Sequence, residues 1–246
     1  MKDYVIYVLP KRDEVEIKRE CSSLEVSRLP GTSRMAKEFE SVRNGRLVLV
    51  RDLRSHRLFR FSCGYRVPKG ASSRGKALFA ELAFDLWQMK EGMFAIGFDA
   101  PRNALRIAAA SLSYAIYGNP LLVAPLRLSP IHFVRLKNLV LRKSGHITQV
   151  ILRGVQTPER KFRKFELTGE NLEGTPNFDD ILHSASRIVC LRFFIPALTG
   201  DRGMSFRILE WGGGQIYFPP NPLDHEILRW LGFLEEGLFS GQDPTE

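Results

Sequence analysis

Few residues of this chain combine type and spacing in a way that suggests chemistry. Asp179, Asp180 and His183 come first. On a helix, positions three and four apart share a face, so two carboxylates and an imidazole there can ligate a divalent cation or act as acid and base. Nucleases use such groups to activate water beside phosphate. On that reading Asp180 and His183 are the catalytic candidates, and Asp179 and His183 the metal candidates. The competing reading is capping, because acidic residues at a helix start satisfy open amides and the dipole. Asp224-His225-Glu226 carries the same pair of readings at the last helix.

Other short motifs dissolve on inspection. Gly212-Gly213-Gly214 lacks a following Lys-Ser/Thr and the GxGxxG context, so it reads as a hairpin turn. Ser73-Arg74-Gly75-Lys76 fits S-x-x-K, but the SDN and KTG elements are missing and the segment reads as a helix start. No GxSxG or HExxH occurs, and His56, His132 and His146 stand alone. No motif calls for a cofactor.

Binding is better signalled than catalysis. Basic and aromatic residues interleave at Arg57–Arg66 and again at Lys161–Phe165. Nucleic-acid grooves use Lys and Arg for phosphates and flat rings for bases. The alternation of Phe59, Phe61 and Tyr65 assigns those rings to a core, while the arginines between them are left to contact phosphate. Arg153–Lys164 is a second basic stretch, with Pro158 placing its middle on a loop that either clamps a backbone or is simply solvated. No RNP1-type motif, zinc-finger spacing or basic zipper is present, so a sheet surface or cleft is expected in place of a recognition helix.

The charge of the whole chain follows the same pattern. The net charge of the 246 residues is +9, but its distribution is uneven. Residues 34–76 carry 12 basic and 3 acidic groups, and residues 127–165 carry 10 and 1. Residues 166–246 carry 5 and 13. Two concentrated basic blocks attract polyanions. The acidic C-terminal third is itself a rival ligand for them, within this chain or in another copy.

The elements that must position these groups can be read from periodicity. Strands are expected at Tyr4–Leu9, at Arg46–Arg51 (buried on both faces) and at His56–Val67, where Phe59, Phe61, Cys63, Tyr65 and Val67 face one way and Arg60, Ser62 and Arg66 the other. Leu78, Leu82, Leu86 and Met89 predict a helix over Ser73–Lys90. Met93–Phe98 reads as a strand, and a well-buried alanine-rich helix runs to Tyr117, closed by Gly118. Leu121–Leu128, Ile131–Arg142, Ile147–Val155 and Phe162–Thr168 read as strands, with Ser144-Gly145 as a hairpin turn. A short helix over Phe178–Ser186, a strand at Arg187–Ile195, a hairpin at Met204–Phe218 and a final helix capped by Asn221-Pro222 follow.

The fold expected is α+β, mainly antiparallel sheets covered by about three long helices. One composite domain or two lobes are both compatible with this. The two-lobe division gives an N-terminal α+β lobe at 1–120, partly irregular over 10–44, and a strand-rich lobe at 121–246 ending in an amphipathic helix.

Composition excludes wholesale disorder and fibrous classes, with 44% hydrophobic and 26% charged residues. Cys21, Cys63 and Cys190 form no CxxC pair, so neither a disulfide framework nor a cysteine zinc site is indicated. Free thiols fit a cytoplasmic protein. Residues 107–126 carry no charge, but Gly118-Asn119-Pro120 interrupts them, and no membrane span is expected.

The leading expectation is a cytoplasmic nucleic-acid-binding protein, for RNA or DNA, that contacts the phosphate backbone. The contacts in the first block are Arg57, Arg60, Arg66 and Lys69. Those in the second are Arg142, Lys143, Arg160, Lys161, Arg163 and Lys164. The alternative is a scaffold or interaction subunit docking on an acidic protein partner or on its own acidic C-terminal third in a homo-oligomer. The second alternative is a metal-dependent enzyme acting on nucleic acid or another phosphorylated substrate.

Overall fold

The computed structural model describes residues 2–8, 23–25, 42–53, 56–66, 79–89, 94–156, 160–196, 203–217 and 224–239. It is an α+β protein built mainly of antiparallel strands. The chain forms two compact units, Tyr4–Pro125 and Leu126–Glu246, with Met1–Asp3 assigned to the second.

The N-terminal unit holds β1 (Lys2–Val8), β2 (Ser23–Glu25), β3 (Val42–Asp52), β4 (His56–Arg66), β5 (Phe79–Met89), β6 (Phe94–Phe98), α1 (Arg102–Tyr117) and the two-residue β7 (Ala124–Pro125). Its strands lie in the order β2-β3-β4-β5-β6-β1, and β7 also pairs with β1. Alternation sorts β4 as its sequence predicts. Phe59, Phe61 and Cys63 join Leu47, Phe84, Leu86 and the buried side of α1 in one core, while Arg60 is exposed. Ala104, Ala108 and Ala109 let α1 lie close to the sheet. The helix ends where Gly118 adopts φ 67°, a left-handed cap that costs glycine nothing.

Three expectations fail in this unit. Phe79–Met89 is a strand, not part of a helix. Its Leu82 and Leu86 are four apart, which suits a helix but is also an even spacing. With Phe84 between them, the period is two, and the eleven-residue pairing with β4 decides the matter. β3 is not buried on both faces, since Leu47 is buried while Arg46 and Val50 are exposed. Leu121–Leu128 contributes only the short β7. The expected start of the helix at residues 73–78 and most of the irregular stretch 10–44 lie outside the described residues.

The second unit holds α2 (Pro130–Arg142), β8 (His146–Gln156), β9 (Lys161–Thr168), α3 (Phe178–Ser184), β10 (Ala185–Ile195), β11 (Met204–Leu209), β12 (Gly213–Tyr217) and α4 (Asp224–Phe239). Its sheet runs β12-β11-β10-β8-β9, antiparallel throughout. Phe206 sits at the centre of the core, with its ring 5.1 Å from Phe193, 5.5 Å from Phe233 and 6.5 Å from Trp230. α2 packs on α4, β8 and β10.

Here the expected strand Ile131–Arg142 is a helix. Phe133, Leu136, Lys137, Leu139 and Val140 are its buried positions, which is helical spacing. Its start was visible as Ser129-Pro130, an N-cap followed by proline at the first helical position. Ser144-Gly145 therefore joins a helix to a strand and is not a hairpin turn; Ser144 takes φ 56° and the Gly145 N–H donates to the Val140 carbonyl. No helix among the described residues is long and apolar enough to cross a membrane.

Candidate nucleic-acid interface

Each basic block belongs to its own unit. In the N-terminal unit two of the four expected contacts are neutralised locally. Arg60 stands directly opposite Asp85 across β4 and β5, and grips it with Nε at 2.8 Å from Oδ1 and Nη2 at 3.2 Å from Oδ2. Asp85 also raises the guanidinium's pKa further, through that hydrogen bond first and its charge second. Arg57 Nε donates to Asp52 Oδ1 at 3.2 Å. Arg66 is exposed at the end of β4 and makes no ion pair among the described residues. Lys69 lies outside the described residues.

In the second block three of the four lysines meet carboxylates of the acidic C-terminal third. Lys137, 7% exposed, donates to Asp179 at 2.6 Å. Lys143 lies 3.7 Å from Glu236, and Lys164 is 2.8 Å from Glu166. The Lys164 ammonium holds the Glu166 carboxyl below its ordinary pKa. In contrast, Arg127, Arg142, Arg153, Lys161 and Arg163 are exposed and make no ion pair among the described residues. Arg160 is exposed and sits just ahead of β9. Lys161, Arg163 and Lys164 ride on β9, which is the outer strand of this sheet, and Arg153 stands opposite Lys164 on β8. Phe162 and Phe165, between the basic groups, meet edge to face at 5.9 Å and are half-buried.

The carboxylate–imidazole group is not convergent. Asp179 is held by Lys137, and His183 Nδ1 donates to the Asp179 carbonyl at 2.6 Å. Asp180 is exposed beside them in the first turn of the seven-residue α3. Among the described residues no three His, Cys, Asp or Glu side chains cluster to hold a metal ion. Cys63 and Cys190 are free, buried, and pushed up to about 11 by that burial. A thiol so protonated is a poor nucleophile at neutral pH.

A further polar row escaped the sequence reading. Strand register places Thr168, Gln149, Arg192, Arg207 and Gln215 side by side across β9, β8, β10, β11 and β12. This row lies on the sheet face opposite Phe193, Phe206 and the helices. Arg192 Nε donates to Ser205 Oγ at 3.3 Å, and its guanidinium carbon sits 4.8 Å from the Tyr217 ring centroid. Tyr217 is 37% exposed. At one end of the face Arg187 and Glu210 form a bidentate pair at 2.8 and 2.6 Å. The signal in the sequence was the alternation of Arg192 and Arg207 against the apolar residues of their strands. Only the pairing of β10 with β11, which no local pattern encodes, brings them together.

A scan against protein-family models and a search of curated proteins return no match to this chain.

Proposed function

We propose that this protein binds nucleic acid by its phosphate backbone, as a cytoplasmic protein with free thiols. One observation carries the reading. Once Lys137, Lys143 and Lys164 are matched to carboxylates, four arginines and Lys161 of the second block remain exposed and without an ion pair among the described residues. An exposed guanidinium is a planar fork of donors suited to phosphate. Such contacts fix the position of a strand without reading its sequence.

The test is fluorescence anisotropy of the full chain with single-stranded RNA, single-stranded DNA and duplex DNA at low and physiological salt. Binding with a steep salt slope, weakened in a Lys161→Ala/Arg163→Ala variant, is the expected result. Absence of binding to all three at low salt overturns the reading.

A second reading has its own support. Asp179, Glu166 and Glu236, all from the acidic third, reach lysines of the second block in the same chain. The same complementarity between copies, or with an acidic partner, makes the protein a docking subunit. A homo-oligomer that dissociates at high salt with no polyanion present distinguishes it.

A further inference from the structure

The sheet face of the second unit that carries the Arg192 row shares Arg153 with those phosphate contacts, but the rest of its composition differs from theirs. It presents a ring, two planar cations and amides in neighbouring strands. We infer that this face is a platform for single-stranded nucleic acid, with a base stacked on the Arg192–Tyr217 pair. The inference rests on the nucleic-acid reading and deepens it by naming the strand class.

Three features point to a single strand. The first is the ring. Tyr217 keeps over a third of its surface exposed while Arg192 lies over it at 4.8 Å, so the pair offers a flat, cationic surface. Bases stack on aromatic rings and on guanidinium planes alike, and a duplex hides the faces they would use. The second is the row itself. Arg192 and Arg207 stand directly opposite each other and Gln215 continues the row on β12, so planar side chains follow one another across three adjacent strands. An amide there can pair with a base edge, which a purely electrostatic partner has no use for. The third is position. Arg153, exposed and without an ion pair among the described residues, lies further along β8 from Gln149 on the same face, so a phosphate leaving the platform meets further positive charge there. Four adjacent strands about 4.8 Å apart give a surface roughly 14 Å wide, which suits two or three bases.

Charge complementarity and the exposed ring commit the face to single-stranded nucleic acid; an acidic polypeptide is the competing occupant. The experiment uses the full chain with oligouridylate, oligodeoxythymidylate, the matching duplex, and an oligonucleotide carrying 2-aminopurine, a base whose fluorescence is quenched on stacking. Tyr217→Leu is expected to weaken single-strand binding about 5- to 150-fold, the span of losing one stacked base. The salt slope should not change, because no charge is removed. Tyr217→Phe should bind as the native protein does. Arg192→Lys, which keeps the charge and loses the plane, should weaken binding with the slope intact. Quenching of 2-aminopurine by the native protein, lost in Tyr217→Leu, is the signature of stacking. It also stands on the native protein alone if the leucine variant fails to fold.

Native protein that binds single strands without quenching, with Tyr217→Leu folded and within about twofold of native affinity, overturns the platform and leaves the phosphate reading intact. Equal weakening of duplex and single-strand binding by Arg192→Lys overturns it as well. Displacement of the oligonucleotide by polyglutamate, itself weakened by Tyr217→Leu, assigns the face to an acidic protein and overturns it too. No binding of any nucleic acid at low salt overturns both readings together.

Discussion

Arg60 and Arg163 carry the same group in different circumstances. Arg60 is matched by Asp85 in a bidentate pair across two strands, whereas Arg163 is exposed on an outer strand with no ion pair among the described residues. A phosphate approaching Arg60 must compete with a carboxylate already in place. Arg163→Ala should therefore reduce the salt slope of nucleic-acid binding by about 0.7 to 0.9, the share of one phosphate. Arg60→Ala should leave the slope unchanged and cost at most about 1 kcal/mol of stability, since the pair is solvent-exposed. Salt titrations and chemical denaturation of the two variants check both statements.

A second residue-scale effect sits at the start of α2. Ser129 and His132 form a capping box in which the Ser129 N–H donates to Nδ1 at 3.1 Å. That nitrogen must be unprotonated to accept. Burial lowers the pKa of His132, and the Arg135 charge lowers it further. The folded value thus lies below the unfolded one near 6.5, so the cap's contribution is complete above that pH and is lost as pH falls through the folded value. His132→Gln keeps an acceptor at the same position without titrating. Its Tm should fall less than the native protein's between pH 7.5 and pH 5, by the equivalent of about 1 kcal/mol. His56, whose pKa burial also lowers, titrates in both proteins and cancels in the comparison. Equal slopes would show that the cap does not titrate.

At the scale of elements, α2 and α4 meet closely at one point. A Cβ on Gly237 would come 2.5 Å from Leu136 Cδ2 and 3.2 Å from Leu139 Cδ2, both on buried side chains. Gly237→Ala should destabilise the protein by about 1–3 kcal/mol despite the better helix propensity of alanine. A Tm at or above the native value would mean that the two helices part at little cost.

The elements also show what could be read from the sequence. Alternation in β4 and β10 and the capped alanine-rich α1 were legible because one face or one stripe dominates their patterns. β5 and α2 were exchanged. Leu82-Phe84-Leu86 satisfies periods of two and four alike, and HFVRLKNLVLR alternates well enough to imitate a strand. In β5 the neighbouring β4 decides, and a single sequence does not reveal that partner. In α2 the decisive signal, Ser129-Pro130, was local and available. The candidate site divides in the same way. The basic character of β9 was legible, but the pairing of Arg60 with Asp85, 25 residues away, and of Arg192 with Arg207 depends on register between strands.

For the whole molecule, the contrast between a net charge of +9 and its distribution matters most. The second unit combines the basic block with the acidic third, and ion pairs within it match Lys137, Lys143 and Lys164 to Asp179, Glu236 and Glu166. Within the basic block five exposed cations make no ion pair among the described residues, namely Arg127, Arg142, Arg153, Lys161 and Arg163. If each meets one phosphate of a single strand, the slope of log affinity against log salt should be near −3.5, at about 0.7 per phosphate. A slope near zero with measurable affinity would mean that binding is not carried by these groups.

The two buried thiols have a consequence for how opening of this protein can be followed. Cys63 is in the core of the N-terminal unit and Cys190 in that of the second, at 5% and 0% exposure. With both pushed up to about 11, only about one thiol in a thousand is a thiolate at pH 8 even before access is considered. An alkylating reagent must then wait for a unit to open. In a chain with Cys21 replaced by serine, the rates at which Cys63 and Cys190 acquire label are two separate clocks, one for each unit. Clocks that keep the same time across denaturant would mean that the units open as one; clocks that diverge would give each its own opening free energy.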